Sequence, residues 1–209
     1  MTETVGKKRA PVRTRDEKYD ERRTQLAESA LTTLGELGYA RTSLREIAQH
    51  SEFSHGVVHY YFNSKADLIV HCVRYYKTKC SRRYDGVIAT AATGEELIEG
   101  FVDTLVETLR NEAPMHRLWY DLRGQSMFEP EFREQVAIID GLLEDMIWRI
   151  VTRYSELTGA VPAFSPGTTY AMVDGLFVKA LLEHVNGTAD ALENLREQAF
   201  AILPALFRS

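Results

Sequence analysis

The amino-acid sequence predicts an all-α protein. From about residue 20 onward, apolar residues recur at three- and four-residue spacing, the period of a helix buried along one face. Pro114, Pro130 and Pro166 stand where the first turn of a helix tolerates a missing N–H group. No segment shows the sustained alternation of apolar and polar residues that is typical of a half-buried strand. We therefore expect helices connected by short turns.

The composition is that of an ordinary globular protein, with 44% hydrophobic and 26% charged residues. No apolar run reaches the length of a membrane span, and the charged N-terminal region lacks the apolar core of a secretory signal. We therefore expect a cytoplasmic protein without membrane contact. Cys72 and Cys80 lie about 12 Å apart along one predicted helix, too far for a disulfide, and are too few for a Cys-rich zinc module.

Charge divides the chain into a basic and an acidic part. Residues 1–84 contain 16 Lys and Arg against 10 Asp and Glu, a net charge of +6. The other 125 residues contain 9 against 20, a net charge of −11. This asymmetry favours polyanion binding by the N-terminal part. A fluctuation of solvated charge is the alternative.

Residues 1–19 are predicted to form a disordered basic arm. They carry basic clusters at 7–9 and 13–15 but no periodic apolar pattern, so they cannot bury enough surface to become ordered. The arm is either merely solvated or uses Arg13 or Arg15 to contact a DNA minor groove.

Residues 20–66 are predicted to contain three helices. The first ends at Gly38, a typical C-terminal stop. Ser43 and Glu46 form a capping box that begins a second, short helix, and Ser54 is the N-cap of a third. Two short helices that meet across a tight turn are typical of a helix-turn-helix motif.

Helical periodicity continues through the remainder of the chain, residues 67–209. The helix after the third is predicted to be long and to connect the N-terminal helices to the rest. The expected helices cover residues 65–92, 95–111, 114–125, 130–157, 166–185 and 189–207.

The solvent side of the two short helices has the chemistry of a DNA-reading surface. Donors, acceptors and methyl groups of suitable size are offered by Ser54, His55, Val57, His59 and Tyr60. The fork of Arg45 suits the O6 and N7 atoms of guanine, while Thr42, Tyr61 and Lys65 suit phosphates. A plain helical bundle is the alternative.

Three stretches within residues 25–68 resemble the DNA-binding signature of the TetR family of bacterial repressors. They read TSLREIA at 42–48, FS at 53–54 and YYFNSKADL at 60–68. The resemblance implies a three-helix DNA-binding domain at 20–66, joined by a long helix to a ligand-binding and dimerisation domain at 67–209. The full predicted DNA-binding set is Thr42, Ser43, Arg45, Ser54, His55, Val57, His59, Tyr60, Tyr61 and Lys65.

Two residues depart from the pattern of the TetR family. Glu52 stands where the turn usually contains glycine, so either Glu52 adopts an unusual turn conformation or the turn itself differs. His59 replaces the usual phosphate-contacting tyrosine, and an imidazole can still donate a hydrogen bond.

The segment Asp174-Gly175-Leu176 is similar to an Asp-Gly-Leu segment common in the penultimate helix of such regulators. Glycine within a helix costs about 1 kcal/mol relative to alanine, and close packing across a dimer would offset this cost. A tolerated glycine within one subunit is the other interpretation.

Aromatic and methionine residues at helical spacing fit either a core or an effector pocket. By resemblance, the pocket lies among helices 4 to 8, and the expected apolar lining is Phe101, Leu105, Trp119, Met127, Met146, Trp148 and Phe177.

Three polar residues could orient an effector. His116, Tyr120 and Arg123 lie along one helical face, and Arg123 is the preferred anchor. This favours a neutral or weakly acidic aromatic or acyl compound. A cation becomes the better candidate if the inward-facing residue is instead Asp103, Glu107 or Asp121.

Together these patterns predict a homodimeric repressor that binds a pseudo-palindromic operator and is released by a small, largely hydrophobic effector. The alternatives are a helical protein–protein adaptor with a polyanion-binding end, an effector-independent regulator, or an activator. We expect no enzyme, since neither a G-x-S-x-G elbow nor a Gly-rich phosphate loop occurs. We also expect no cofactor and no metal. His55 and His59 have metal-ligand spacing, but Gly56 replaces the glutamate of a HExxH motif.

Overall fold

The computed structural model describes residues 14–208, and within this range the all-α fold is confirmed. The helices are α1 (Arg15–Arg41), α2 (Leu44–Gln49), α3 (His55–Tyr61), α4 (Lys65–Cys80), α5 (Asp85–Thr90), α6 (Gly94–Gln125), α7 (Arg133–Thr158), α8 (Pro166–Val185) and α9 (Ala191–Ala205). A 3-10 turn at Pro130–Phe132 precedes α7, and two-residue strands β1 (Val161–Pro162) and β2 (Phe207–Arg208) pair antiparallel. None of the described helices is long and apolar enough to cross a membrane.

Helix α1 begins earlier than the sequence predicted. The Thr14 hydroxyl accepts the N–H of Glu17 at 3.2 Å, and the Glu17 carboxylate accepts the N–H of Thr14 at 2.7 Å. Because this capping box starts the helix, the prediction of disorder was wrong for residues 15–19. Residues 1–13 of the predicted arm, including Arg13, lie outside the described residues.

The first three helices and the start of α4 enclose a small apolar core. Its buried side chains are Leu26, Ala30, Leu34, Ile47, Phe53, Val58, Phe62 and Leu68. Gly38 has a φ of 74°, a conformation that favours glycine, and it interrupts the helical path near the end of α1. The predicted stop at Gly38 is therefore a break within the element, which continues to Arg41.

The long connecting helix predicted over residues 65–92 is in fact two helices. Helix α4 has 16 residues, and residues 81–84 form turns before α5 begins. Arg149 on α7 donates to the carbonyl of Ser81, and the ring of Tyr84 packs 5.0 Å from that of Phe101. The prediction of one helix was wrong because side chains distant in the sequence stabilise the turn.

Helix α6 bends where the sequence predicted two helices. Glu112 has φ −130° and ψ 20°, outside the helical region, and Pro114 lacks the N–H that would continue the hydrogen-bond ladder. Beyond the bend, the second half of α6 packs against the end of α1. Helix α6 therefore contacts both the N-terminal helices and the C-terminal part of the protein.

Helices α6 to α9 form the body of the C-terminal part. Helix α8 packs against α7 and α9, and α9 also packs against α6. The observed bounds of α8 match the predicted range, because Ser165 caps its N-terminus and Pro166 occupies the first position. Helix α9 is shorter at both ends than predicted.

Candidate functional site

Helix α3 presents most of its polar side chains to solvent. One valine anchors it in the domain core, whereas His55, His59 and Tyr60 are exposed. Exposed Ser54 begins the helix by accepting the N–H of Val57 at 3.4 Å, and Val57 is itself half-buried. The residues of α3 that were predicted to contact DNA thus lie together at the surface, with His55, His59 and Tyr60 exposed and Val57 and Tyr61 half-buried.

Arg45 on α2 lies beside the start of α3. It is exposed and lines a shallow surface depression with Ser54 and His55. An added Cβ at Gly56 would meet no atom within 4 Å, so the surface next to these residues is open. A guanidinium and several smaller donors therefore share one accessible face, as base reading requires.

The two histidines of α3 contact each other. The Nε2 atoms of His55 and His59 are 3.1 Å apart, and the rings meet edge to face at 4.3 Å between centroids. One imidazole donates and the other accepts, so a base or phosphate bound here has to compete with this bond. Within residues 14–208, no group of three or more His, Cys, Asp or Glu could hold a metal ion.

The turn between α2 and α3 does not use the left-handed conformation of the usual glycine. Among the described residues every positive φ belongs to a glycine, so Glu52 adopts no such conformation. Ser51 holds the turn instead. Its hydroxyl oxygen accepts the N–H of Phe53 at 3.2 Å and donates to the carbonyl of Ala48 at 3.3 Å. The sequence left two possibilities, an unusual conformation of Glu52 or a different turn, and the second is correct.

Thr42 is a structural residue, contrary to its selection as a phosphate contact. Its side chain is 3% exposed and its hydroxyl donates to the carbonyl of Gly38 at 2.7 Å. Neighbouring Ser43 is exposed, and its hydroxyl oxygen caps α2 by accepting the N–H of Glu46 at 3.1 Å. Thr42 therefore stabilises the end of α1, whereas Ser43 lies at the surface.

Tyr61 and Lys65 lie half-buried at the junction of α3 and α4. The ring of Tyr61 packs 4.9 Å from that of Tyr19 on α1. The Lys65 Nζ lies 4.2 Å from the centre of the Tyr39 ring, and partial burial lowers the pKa of this lysine. Side chains of α1 thus hold both residues at the edge of the α3 surface, the exposed face formed by Arg45, Ser54, His55, His59 and Tyr60.

A cavity lies between α4, α6, α7 and α8. Together with the open space at its mouth it comprises about 530 Å³. The predicted residues that line it are Leu105, His116, Trp119, Tyr120, Met146 and Phe177. The polar lining residues that sequence reasoning missed include Lys77, Thr108, Tyr170 and Asp174.

Four predicted pocket residues lie outside the cavity lining. Phe101 packs behind the wall against Tyr84. Met127 is 72% exposed, Trp148 is half-buried elsewhere on α7, and Arg123 is held by carboxylates. The aromatic and methionine residues therefore divide between core, surface and cavity, because helical spacing alone does not tell which neighbour a side chain meets.

Arg123 is not free to anchor a ligand, contrary to the prediction. Its Nη1 donates to Asp174 at 2.6 Å, and its Nε lies 3.5 Å from Asp140. Tyr120 and Tyr170 donate to the same two carboxylates, each at 2.8 Å. The arginine and the two tyrosine hydroxyls thus close a polar network at the cavity wall.

The carboxylates considered as cation ligands also lie outside the cavity lining. Asp103 pairs with Arg196 at 2.5 Å, and Glu107 is exposed. Asp121 accepts the N–H of Tyr39 at 2.8 Å, on the side of α6 that packs against α1. A cationic effector was expected only if one of these three carboxylates faced the pocket, and none of them does.

Lys77 and His116 form a buried polar pair inside the cavity. Lys77 is 3% exposed, and its Nζ lies 3.3 Å from Nδ1 of His116. Burial and the lysine charge hold the pKa of His116 well below its usual value, so the ring is neutral. With Nδ1 accepting from the lysine, the Nε2–H donates to Thr108 at 3.0 Å. Burial lowers the pKa of Lys77 to about 8, which leaves the ammonium form predominant at neutral pH.

The second half of α6 connects the cavity to the N-terminal helices. Arg117 donates to the carbonyls of Gly35 and Glu36 at 2.6 and 3.0 Å. A Cβ at Gly35 would lie 2.0 Å from the Cε of Met115, so α1 and α6 approach closely here. Since His116 lies in the cavity wall between Met115 and Arg117, one helical segment contacts both regions.

Helix α8 carries an accessible stripe of small and apolar residues. They follow the four- and three-residue spacing of a helix-packing seam and are Ala171, Gly175, Val178, Leu182 and Val185. Leu182 and Val185 are 59% and 46% exposed in the single chain. An added Cβ at Gly175 would meet no atom of the same chain within 4 Å. The glycine therefore makes no close approach within one subunit.

Two family models match successive parts of the chain. The model of bacterial regulatory proteins of the tetR family matches residues 26–72, and that of the C-terminal domain of BetI-type transcriptional repressors matches residues 94–204. An HTH-type transcriptional regulator BetI of Burkholderia mallei is 30% identical over 167 residues, covering 77% of this chain and 82% of the relative. The corresponding regulator of Paraburkholderia phymatum is 26% identical over 165 residues, with the same coverage.

Solved structures share the fold. A TetR transcription regulator from Haloarcula marismortui has a TM-score of 0.73 at 18% identity, covering 90% of this chain and 100% of that chain. A Saccharomonospora viridis protein in complex with choline also has a TM-score of 0.73, at 17% identity, covering 90% of this chain and 98% of that chain. At these identities the likeness concerns the fold alone.

Proposed function

Because the chain belongs to the TetR family of transcriptional regulators, with a C-terminal domain of the BetI-type repressors, we propose that it represses transcription as a homodimer on a pseudo-palindromic operator. A small, largely hydrophobic effector enters the cavity and releases the operator. The observation that carries this proposal is the second half of α6, which lines the cavity and also holds the end of α1.

The α3 surface supplies the reading chemistry. Arg45, Ser54, His55, His59 and Tyr60 are accessible on neighbouring helices, so their polar groups can meet base edges without first being uncovered. Ser43 and Lys65 flank this surface at positions suited to phosphates.

The stripe on α8 supports the dimer. Exposed apolar side chains at seam spacing lose contact with water when a second copy covers them, and the open space at Gly175 lets another helix approach closely. Two reading helices then enter successive major grooves about 34 to 36 Å apart. A monomer would read only half of such a site.

Release follows if the effector prefers a conformation with the wrong spacing of the two α3 helices. Two helices join the cavity to the reading end. Helix α4 begins near the α3 surface with Lys65 and reaches the cavity at Lys77, while α6 holds Gly35 and Tyr39 through Arg117 and Asp121. A shift of either helix repositions the N-terminal domain.

Selection of duplexes from a random-sequence pool with the purified protein tests the proposal. We expect an inverted repeat bound by two protomers, with affinity that falls steeply as salt rises because phosphate contacts release counterions. Sedimentation gives the stoichiometry. Enrichment of no sequence, or operator binding by a single protomer, would contradict the proposal and favour the adaptor alternative.

A further inference from the structure

We propose that the effector is an anion, a carboxylate on an apolar chain or ring, whose head group binds the Lys77 ammonium and the indole N–H of Trp119. This inference rests on the proposed function only in taking the cavity as the effector site. The chemistry of the head-group site stands on its own geometry, and it can be measured without DNA.

Lys77 is a buried cation that forms no ion pair. It occupies the apolar stripe of α4, where Val73 and Cys80 are its buried neighbours along the helix. No carboxylate in residues 14–208 forms an ion pair with Lys77, and its hydrogen-bond partner is the neutral ring of His116. Since a buried charge is costly unless it is paired, an anion that enters the cavity gains a strong partner.

The carboxylates nearest to this site hold other partners. Glu112 accepts two bonds from Arg83, at 2.7 and 2.8 Å, and one from Tyr76 at 2.5 Å. Asp174 is held by Arg123 and the Tyr120 hydroxyl. Both carboxylates act on Lys77 only from beyond ion-pair distance, so an anion in the cavity would be the direct ion-pair partner that Lys77 lacks.

Trp119 supplies a second unsatisfied donor. Its side chain lines the cavity and is fully buried, and its Nε1 has no hydrogen-bond partner among the described residues. The Lys77 Nζ lies 5.6 Å from the Trp119 ring. Buried donors normally have acceptors. The unpaired indole N–H and the neighbouring ammonium, whose hydrogen-bond partner is a neutral ring, are therefore suited to the two oxygens of a carboxylate.

The rest of the cavity suits an apolar body. Its remaining walls include Leu105, Leu143, Met146, Ile147, Val173 and Phe177. These side chains bury hydrocarbon or an aromatic ring without offering it charged partners. A carboxylate with an acyl chain or a phenyl group therefore satisfies both ends of the site.

A quaternary ammonium is the main competing ligand, because the cavity also contains aromatic rings. The Lys77 ammonium repels such a cation and lies beside the Trp119 ring that would bind it. The charged and titratable groups around Lys77 are Cys80 and Arg83 near the end of α4, Glu112 and His116 on α6, and Asp174 on α8. The side chains that α7 contributes to the cavity are apolar.

Ligand binding to the purified protein, followed by calorimetry, tests the proposal. The probes are straight-chain carboxylates of about four to twelve carbons and 3-phenylpropanoate, each compared with its primary amide, and choline. We expect the carboxylates to bind about tenfold or more tightly than their amides, because a charged hydrogen bond is lost in the amide.

Lys77→Met removes the charge while keeping an apolar side chain in the buried stripe. We expect it to weaken carboxylate binding about tenfold or more and to abolish the preference over the amide. Lys79→Met is the matched control, because Lys79 is an exposed lysine on the same helix, and we expect wild-type binding. Trp119→Phe removes the indole donor and keeps an aromatic ring, although a smaller one. It should weaken the carboxylates by a smaller factor, and it tests the proposal if Lys77→Met does not fold.

Amides or choline binding as well as the carboxylates would overturn the proposal, as would failure of every carboxylate to bind. Carboxylate affinity unchanged in both Lys77→Met and Trp119→Phe would also overturn it. Operator binding by the ligand-free protein is measured separately. Loss of operator binding with intact carboxylate preference would refute the proposed function and leave the anion site standing.

Discussion

The α3 surface and the cavity differ in how the sequence assembles them. The surface takes all its residues from 43–65, and the hydroxyls of Ser43 and Ser54 cap the helices that carry them. The cavity gathers side chains from four helices, from Lys77 to Phe177. Local capping therefore positions the residues of the α3 surface, whereas packing between helices distant in the sequence positions those of the cavity.

The two regions also differ in their unsatisfied groups. The exposed donors of the α3 surface bind water until DNA replaces it, so their ligand-free state costs little. In the cavity, Lys77 and the Trp119 indole are shielded from water; the indole N–H has no acceptor among the described residues, and Lys77 has the neutral ring of His116 as its acceptor but forms no ion pair. The α3 surface therefore loses little free energy in the absence of DNA, whereas ligand binding in the cavity gains free energy by supplying partners to buried polar groups.

The largest expected effect comes from a substitution at the proposed dimer interface, which lies outside both the α3 surface and the cavity. Gly175→Leu places a bulky side chain on the α8 stripe, where the single chain has open space. We expect a monomer and a loss of operator affinity on the order of 100-fold, because the second half-site no longer binds as part of the same particle. Sedimentation and fluorescence anisotropy measure the two effects.

Gly141→Leu is the control for this prediction. Gly141 also lies within a helix and also has no atom within 4 Å of an added Cβ, but it is on α7. We expect it to remain dimeric. An intact dimer in the Gly175→Leu variant would place the interface elsewhere.

Two residues of the α3 surface and its edge, Arg45 and Lys65, are expected to contribute differently to DNA binding. Arg45→Ala should cost about 1 to 3 kcal/mol on the operator and relax specificity at one position, with little effect on random DNA. Lys65→Ala should weaken binding to all sequences and reduce the salt slope by about one unit. Titrations on operator and random duplexes at several salt concentrations distinguish them. Equal losses on both duplexes for both variants would argue against these roles.

The buried lysine predicts a pH effect on stability. The pKa of Lys77 is about 8 in the folded protein and 10.5 by its ordinary value. Between these values the unfolded chain binds more protons, so the free energy of unfolding rises as pH increases from 8 to 10.5. We expect this rise to be on the order of 2 kcal/mol larger in the wild type than in Lys77→Met. Urea unfolding at several pH values measures it, and parallel pH profiles would contradict the burial of a charged Lys77.

The smallest expected effect tests the connection between the two regions. Asp121→Asn weakens the acceptor of the Tyr39 N–H while leaving the cavity lining unchanged. We expect the factor by which a bound carboxylate weakens operator affinity to fall about fivefold, because less of the α6 shift reaches α1. Asp103→Asn, on the first half of α6 and paired with Arg196, is the control. An unchanged factor in Asp121→Asn would remove this contact from the coupling.

The same contrast explains what could be predicted from the sequence. Helix starts can be predicted from N-cap serines, because the serine hydroxyl accepts the backbone N–H of the residue three positions later. This is the case for Ser43, Ser54 and Ser165. Thr14 gives the same signal, with Glu17 as its partner. It was overlooked because the flanking residues lack an apolar pattern.

The cavity was harder to predict because its polar residues depend on distant partners. Arg123 was a reasonable anchor by position, but Asp140 and Asp174 arrive from other helices and neutralise it. Lys77 left a signal, since a lysine within an apolar stripe is unusual. The sequence could not tell whether its ammonium would reach solvent or remain buried.

The most direct test is the affinity of the tightest-binding carboxylate for the free protein and for the operator-bound protein. We predict tighter binding to the free protein by about tenfold or more, and an equal factor by which the carboxylate weakens operator binding. Equal affinity for the two forms would contradict the account, because such a ligand shifts no equilibrium however tightly it binds.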